Sequence, residues 1–260
     1  MDEIKSLVKH HPLVTYFVLA YALTWALAPL LTISLLLGVM GLLMPAVAAI
    51  VVTALTEGRP GVKTLLQRLT IWRVGVRWYV VALGLPVFLS AVVVVLSILL
   101  GAPAQVEFSP VSLLTMVVFV LVVGEEIGWR GYALPKLLQN HSAVTASLIL
   151  GVLWGGWHLP TFFIAGSPQA SIPFLAFLLF TTGASVLFTW LHLHTQGSLL
   201  IATLFHGAIN SFGFVNNALD PAARWWLTGA VYVAAALIVS VIAGLNLRRR
   251  AVAQPGIASV

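Results

Sequence analysis

Cysteine is absent from the 260 residues of the chain, which excludes disulfides, thiolate metal ligands and a cysteine nucleophile. Charge is almost as scarce. Only 8% of the residues are Asp, Glu, Lys or Arg, against roughly 25% in soluble domains, and no water-facing surface can be built from so few. Aspartate occurs only as Asp2 and Asp220, neither of them deep in an apolar run, so an intramembrane aspartyl dyad is excluded. No His-Glu-x-x-His is present, which removes the zinc site that puts two histidines and a glutamate on one helix face. The short alternating strands of a transmembrane barrel are missing as well. The first apolar helix is expected to begin near Pro12 and to run long, without a small-residue cleavage site, which argues against a removable leader.

What is present is apolar. Hydrophobic residues make up 60% of the chain and the mean hydropathy is +1.05. Several runs exceed the ~20 residues needed to cross a ~30 Å hydrocarbon core. The expected fold is all-α, a polytopic transmembrane helix bundle of about eight spans near 12–37, 39–56, 78–100, 111–139, 143–165, 172–193, 197–217 and 224–246. They are expected to form one transmembrane domain over 1–250, with a motif core at 111–217 and a disordered tail at 251–260. Breaks are weak at Gly38 to Gly41 and at Thr195 to Gly197.

The formal charge of +6 and pI near 10.1 do not point to a nucleic-acid partner, because the basic residues lie between apolar spans rather than in one patch. They act as topology signals. With cytoplasmic termini, that side collects Lys5, Lys9, Arg59, Lys63, Arg68, Arg73, Arg77, Arg130, Lys136 and Arg248 to Arg250, and the other keeps only Arg224. Twelve against one sets an expected orientation in the plasma membrane of a prokaryote, with membrane lipid as the first partner. The segment from Arg59 to Trp78 reads as an amphipathic helix on the cytoplasmic face.

Chemical information is concentrated in polar groups placed within the membrane, each costly unless paired or used. They are Glu125, Glu126, Arg130, His158, His206 and Asn210, on the fourth, fifth and seventh spans. At 1.5 Å per residue, Glu125 lies ~21 Å from the presumed cytoplasmic end, His158 ~22 Å, His206 ~14 Å and Asn210 ~20 Å. Glu126 and Arg130 are four apart and pair along one face, while Glu125 points about 100° away, free for proton transfer. The bland reading is a polar clamp aided by Gly124 and Gly128. Gly155 and Gly156 admit a neighbouring helix, and Trp154 shares the face of His158. His206 and Asn210 share a face and suit an oxyanion hole, or else an interhelical hydrogen-bonded pair. His10, His11, His141, His192 and His194 fall near span ends and read as interfacial.

In order along the chain stand Glu125-Glu126-Ile-Gly-Trp-Arg130, Trp154-Gly-Gly-Trp-His158 and His206-Gly-Ala-Ile-Asn210. Together they resemble the three motifs of the type II CAAX prenyl protease and bacteriocin-processing family, with Trp154 where that family usually has Phe. The resemblance covers Glu125 to Asn210. It implies an eight-helix intramembrane endopeptidase opening toward the cytoplasm and acting on a peptide or protein substrate. In it Glu125 with His158 activates water, His206 with Asn210 holds the oxyanion, and Glu126 with Arg130 supports the site. No cofactor is favoured, although Glu125, His158 and His206 admit a three-ligand zinc site.

Other classes fit less well. A Ser/His dyad of Ser185 and His206 lacks the glycine expected after the serine and leaves both glutamates unused. A transporter would relay protons or bind an ion through these groups, but the deep polar residues fall only in the second half of the chain. A non-catalytic immunity or scaffold protein would have no need of all three motifs. Substrate identity and oligomeric state are not encoded in any of these residues.

Overall fold

The computed structural model describes residues 2–34, 40–108 and 113–242. The tail expected at 251–260, and Arg248 to Arg250 of the charge count, lie outside the described residues.

Helix begins earlier than the apolar pattern implied. A short amphipathic helix α1 (Asp2–His10) precedes α2 (Pro12–Leu27). His11, at φ −128°, breaks the two, and Pro12 opens α2 where its missing N–H costs nothing. A 3-10 turn, Ala28–Thr32, extends α2, and another, Met40–Leu43, leads into α3 (Met44–Thr56). The amphipathic helix expected from Arg59 to Trp78 is shorter: α4 spans Gly58–Gln67 and ends in a 3-10 turn, Arg68–Thr70. Gly75, at φ +85°, then turns the chain into α5 (Val76–Leu99), which takes Trp78 into the core while Trp72 stays exposed.

The fourth expected span is one helical run with three parts. These are α6 (Leu113–Glu126), a π-helical stretch Ile127–Ala133, and α7 (Leu134–Asn140). Wide turns of this kind recur at functional sites; here the Leu134 N–H reaches back to the Trp129 carbonyl. Next come α8 (Ala143–Trp157), a 3-10 turn Leu159–Phe163, α9 (Phe174–His194), α10 (Leu199–Ser211) and α11 (Pro221–Ile242). The fifth expected span, near 143–165, is found at Ala143–Phe163, with α8 itself giving way after Trp157 to the 3-10 turn that contains Pro160. The turn between α9 and α10 uses left-handed backbone at Gln196 and Gly197 (φ 57° and 73°).

The result is an all-α membrane bundle. Among the described residues, five helices are long and apolar enough to cross a bilayer: Pro12–Thr32, Val76–Leu99, Ala143–Phe163, Phe174–His194 and Pro221–Ile242. Met40–Thr56 and Leu199–Ser211 are apolar but shorter. The run through 113–140 carries Glu125, Glu126, Arg130 and Lys136. Among the described residues, one pair of strands departs from helix. Strands β1 (Val106–Phe108) and β2 (Phe214–Asn216) pair antiparallel, and Asn216 ties them down by donating to Ser97 Oγ at 3.0 Å.

These strands mark one end of the bundle. The other end is closed by Lys136 donating to Glu57 (3.1 Å) and Ser198 Oγ to the Ile71 carbonyl (2.6 Å). Close helix approach holds the middle. A Cβ on Gly124 would meet the Leu42 carbonyl at 2.6 Å, and one on Gly128 would meet Pro45 and the Tyr16 hydroxyl at 2.5 Å, so the start of α3 packs directly on the backbone of the glutamate-bearing run.

Candidate active site

Glu126 and Arg130 pair as their spacing requires: Nη1 lies 2.9 Å from Oε1, and both side chains are 0% exposed. A charge in such a place is tolerable only with close compensation. Arg130 finds it partly in two aromatic faces, its guanidinium carbon lying 3.5 Å from the Phe188 ring centre and 4.5 Å from that of Trp154. The same Glu126 oxygen takes a second partner, His206 Nδ1, at 2.7 Å. That oxygen accepts from Arg130 and can also accept the Nδ1–H of the His206 ring.

Glu125 is not free, contrary to its direction on an isolated helix. The Trp154 indole N–H donates to Oε2 at 2.8 Å. The Trp154 carbonyl in turn accepts from His158 Nδ1 at 2.9 Å, and its ring lies edge-on to His206, 5.3 Å between centres. One tryptophan therefore touches Glu125, His158, His206 and Arg130. His158 closes α8 as its last cap residue, with its ring held between Trp157 (4.7 Å) and Phe177 (5.0 Å). The orphan carbonyl of Trp157 accepts from Trp25 Nε1 at 3.0 Å, and Tyr21 donates to the Leu153 carbonyl, so α2 braces the end of α8.

With both Nδ1–H groups committed, each histidine has Nε2 left, an acceptor when neutral and a donor when protonated. Glu125, His158, His206 and Asn210 all line one cavity of about 610 Å³, while Glu126 and Arg130 are sealed behind it. Asn210, in the last turn of α10, is exposed to that space. The wall is otherwise largely apolar, with Trp157, Phe177, Phe180, Trp225 and Tyr232. Among the described residues, no three His, Cys, Asp or Glu side chains come close enough to hold a metal ion.

The cavity reaches the strand-bearing end, where Gln169, Phe214 and Arg224 line it, and the basic residues of α4 and the loop to α5 lie at the opposite end with Glu57 and Ile71. With the basic end cytoplasmic, this part of the cavity would face the opposite side. Two readings are corrected. Gly155 admits α9, where a Cβ would meet Thr181 at 2.6 Å, but its partner in that contact is Gly151, against Thr182 at 2.6 Å; Gly156 meets only Tyr21, at 3.3 Å. His192 is buried rather than interfacial, and its Nδ1 has no hydrogen-bond partner among the described residues.

The π-helical stretch and the hub position of Trp154 were missed by sequence reasoning. The only trace of the latter was the tryptophan standing where phenylalanine is usual.

The all-α membrane bundle thus places Glu125, His158, His206 and Asn210 at the wall of a largely apolar cavity, with Glu126 and Arg130 buried behind it. Residues 107–212, which include Glu125, Glu126, Arg130, His158, His206 and Asn210, match the family model of the Rce1-like type II CAAX prenyl endopeptidases. That stretch is thus similar to the Rce1-like type II CAAX prenyl endopeptidases. It is also 34% identical over 140 residues to CAAX prenyl protease 2 of Methanococcus maripaludis, an alignment covering 47% of this chain and 52% of that relative. The chain spans about half the length of the curated relative it matches.

Proposed function

We propose that this chain is an intramembrane endopeptidase that hydrolyses peptide bonds of membrane-associated or C-terminally lipidated peptides. The observation that carries the reading is the convergence of Glu125, His158, His206 and Asn210, from three helices far apart in sequence, on one cavity with Glu126 and Arg130 behind. In this reading Glu125 takes a proton from a water held beside His158 Nε2, and the hydroxide adds to the scissile carbonyl carbon. His206 and Asn210 hydrogen-bond the oxyanion that forms. Collapse of the intermediate expels the amine, which receives its proton from Glu125. General-base chemistry is worth about 10²–10⁴-fold and each oxyanion donor about 10²–10³-fold, so the set is sufficient for a hydrolase without any step through a metal.

The termini are placed on the cytoplasmic side by the charge bias. With that orientation the cavity faces the opposite side, and substrates reach it from there or from within the bilayer. The deciding experiment is Glu125→Gln, which preserves shape and removes the proton acceptor. In proteoliposomes with lipidated and unlipidated reporter peptides, the wild type is expected to cleave and the variant to fold yet release no product. Cleavage by the variant at the wild-type rate would refute the mechanism.

A further inference from the structure

The cavity wall holds one arginine and no lysine. Arg224, in the first turn of α11, is the sole Lys or Arg among the lining residues. It is half-buried and takes part in no ion pair among the described residues. Asp220, the acid nearest in sequence, is occupied in accepting the Ala223 N–H at 2.9 Å. A continuous aromatic path leads from Arg224 to the reacting groups. Its neighbour Trp225 packs on Phe177 (5.8 Å between ring centres) and Phe180 (5.6 Å), and Phe177 packs on His158 at 5.0 Å. Those two contacts put the Trp225 ring within about 11 Å of His158, the reach of about three extended residues.

An apolar wall ending in an unpaired guanidinium matches a ligand with apolar side chains and a terminal anion, since arginine presents a planar fork suited to a carboxylate. We propose that Arg224 receives the free C-terminal carboxylate of the substrate peptide, fixing which bond lies against Glu125 and His158. This rests on the endopeptidase reading. A lipid phosphate is the other source of such an anion, and at a helix end an arginine often serves that purpose. The commitment here is to the peptide, because Arg224 lines the same cavity as Glu125 rather than the lipid-facing surface alone.

The test compares one apolar reporter peptide as free acid and as C-terminal amide, with the full chain in phosphatidylcholine vesicles. The wild type is expected to favour the acid by about 10- to 100-fold in kcat/KM, the worth of a hydrogen bond to a charged group. Most of the difference should fall in KM. Arg224→Gln should bring that ratio close to one, with Arg224→Lys between. Equal use of acid and amide by the wild type, or an equal loss for both in Arg224→Gln, would overturn the proposal. So would an Arg224→Gln effect that appears only when phosphatidylglycerol is added. Binding separates this idea from the mechanism beneath it. The Glu125→Gln protein, labelled for fluorescence, should bind the acid more tightly than the amide even where it cleaves neither, and that preference should vanish on adding Arg224→Gln. Absence of any preference in binding would sink the Arg224 assignment whatever the fate of Glu125.

Discussion

Replacing Arg130 by methionine keeps most of the side chain's length and removes its charge from the centre of the bundle. Glu126 would then face the interior at 0% exposure with His206 as its sole partner, its Oε2 already lacking one. Removing one member of a buried pair costs about 3–5 kcal/mol, mostly the penalty of the charge left behind. That is a large share of the about 5–15 kcal/mol that holds an ordinary domain together. Arg130→Met is therefore expected to lose about 3–5 kcal/mol, measured by reversible unfolding in mixed detergent micelles with the chain's nine tryptophans as the signal. Glu126→Gln should lose a similar amount by stranding Arg130, whose Nε and Nη2 have no hydrogen-bond partners among the described residues. In the double variant both charges are gone, so its loss should fall well short of the sum, a coupling of about 1–3 kcal/mol. Hydrolysis should stay low in the double variant, because His206 then faces a neutral amide. Additive losses, or single losses below about 1 kcal/mol, would show that the pair is not the buried electrostatic unit described.

Trp154→Phe removes the indole N–H from Glu125 but keeps a ring under Arg130 and the backbone carbonyl that holds His158. A fall of about 10-fold in kcat with little change in KM is expected, and an unchanged kcat would deny the tryptophan a positioning role. Asn210→Ala should lower kcat by roughly 10²-fold without altering zinc content by elemental analysis; stoichiometric zinc lost with activity on chelation and restored on readdition would favour a ligand set of Glu125, His158 and His206 instead. The natural absence of cysteine makes single-cysteine labelling clean. Sites near Lys9 and Arg68 should be protected from an impermeant reagent outside cells and sites near Glu107, Gln169 and Asp220 should react, with the reverse pattern overturning the orientation.

What was legible in the sequence was whatever a single helix fixes. The Glu126–Arg130 pair follows from four-residue spacing alone, and the cost of charge in a bilayer singled out six polar residues from an apolar background. The contacts that give the site its geometry are non-local. Trp154 to Glu125 spans 29 residues and His206 to Glu126 spans 80, so neither follows from periodicity; they depend on how the helices rotate against one another. The π-helical turns at 127–133 were invisible as well, since nothing in the spacing of Ile-Gly-Trp-Arg-Gly marks them, and there Gly128 packs closely on Pro45 and Tyr16. The fifth span was legible from its apolar flanks, and Pro160 marks where it changes from α-helix to a 3-10 turn beside His158.

The end of α8 at His158 also bears on orientation. Fifteen residues from Ala143 to Trp157 rise about 22 Å, so His158 stands in the far part of a ~30 Å core, nearer the strand-bearing end than the basic one. A site at that depth is reached more readily from the far side, which is also where the cavity lining lies. The rule that sorts lysine and arginine to the cytoplasmic side works against any cation there, and this chain places one, Arg224, in a position where it lines the cavity instead of meeting a carboxylate of its own. A residue kept only to anchor α11 in headgroups would point away from the bundle. Its place in the wall, beside Trp225 and two ring contacts from His158, is accounted for when the anion it meets arrives with the substrate.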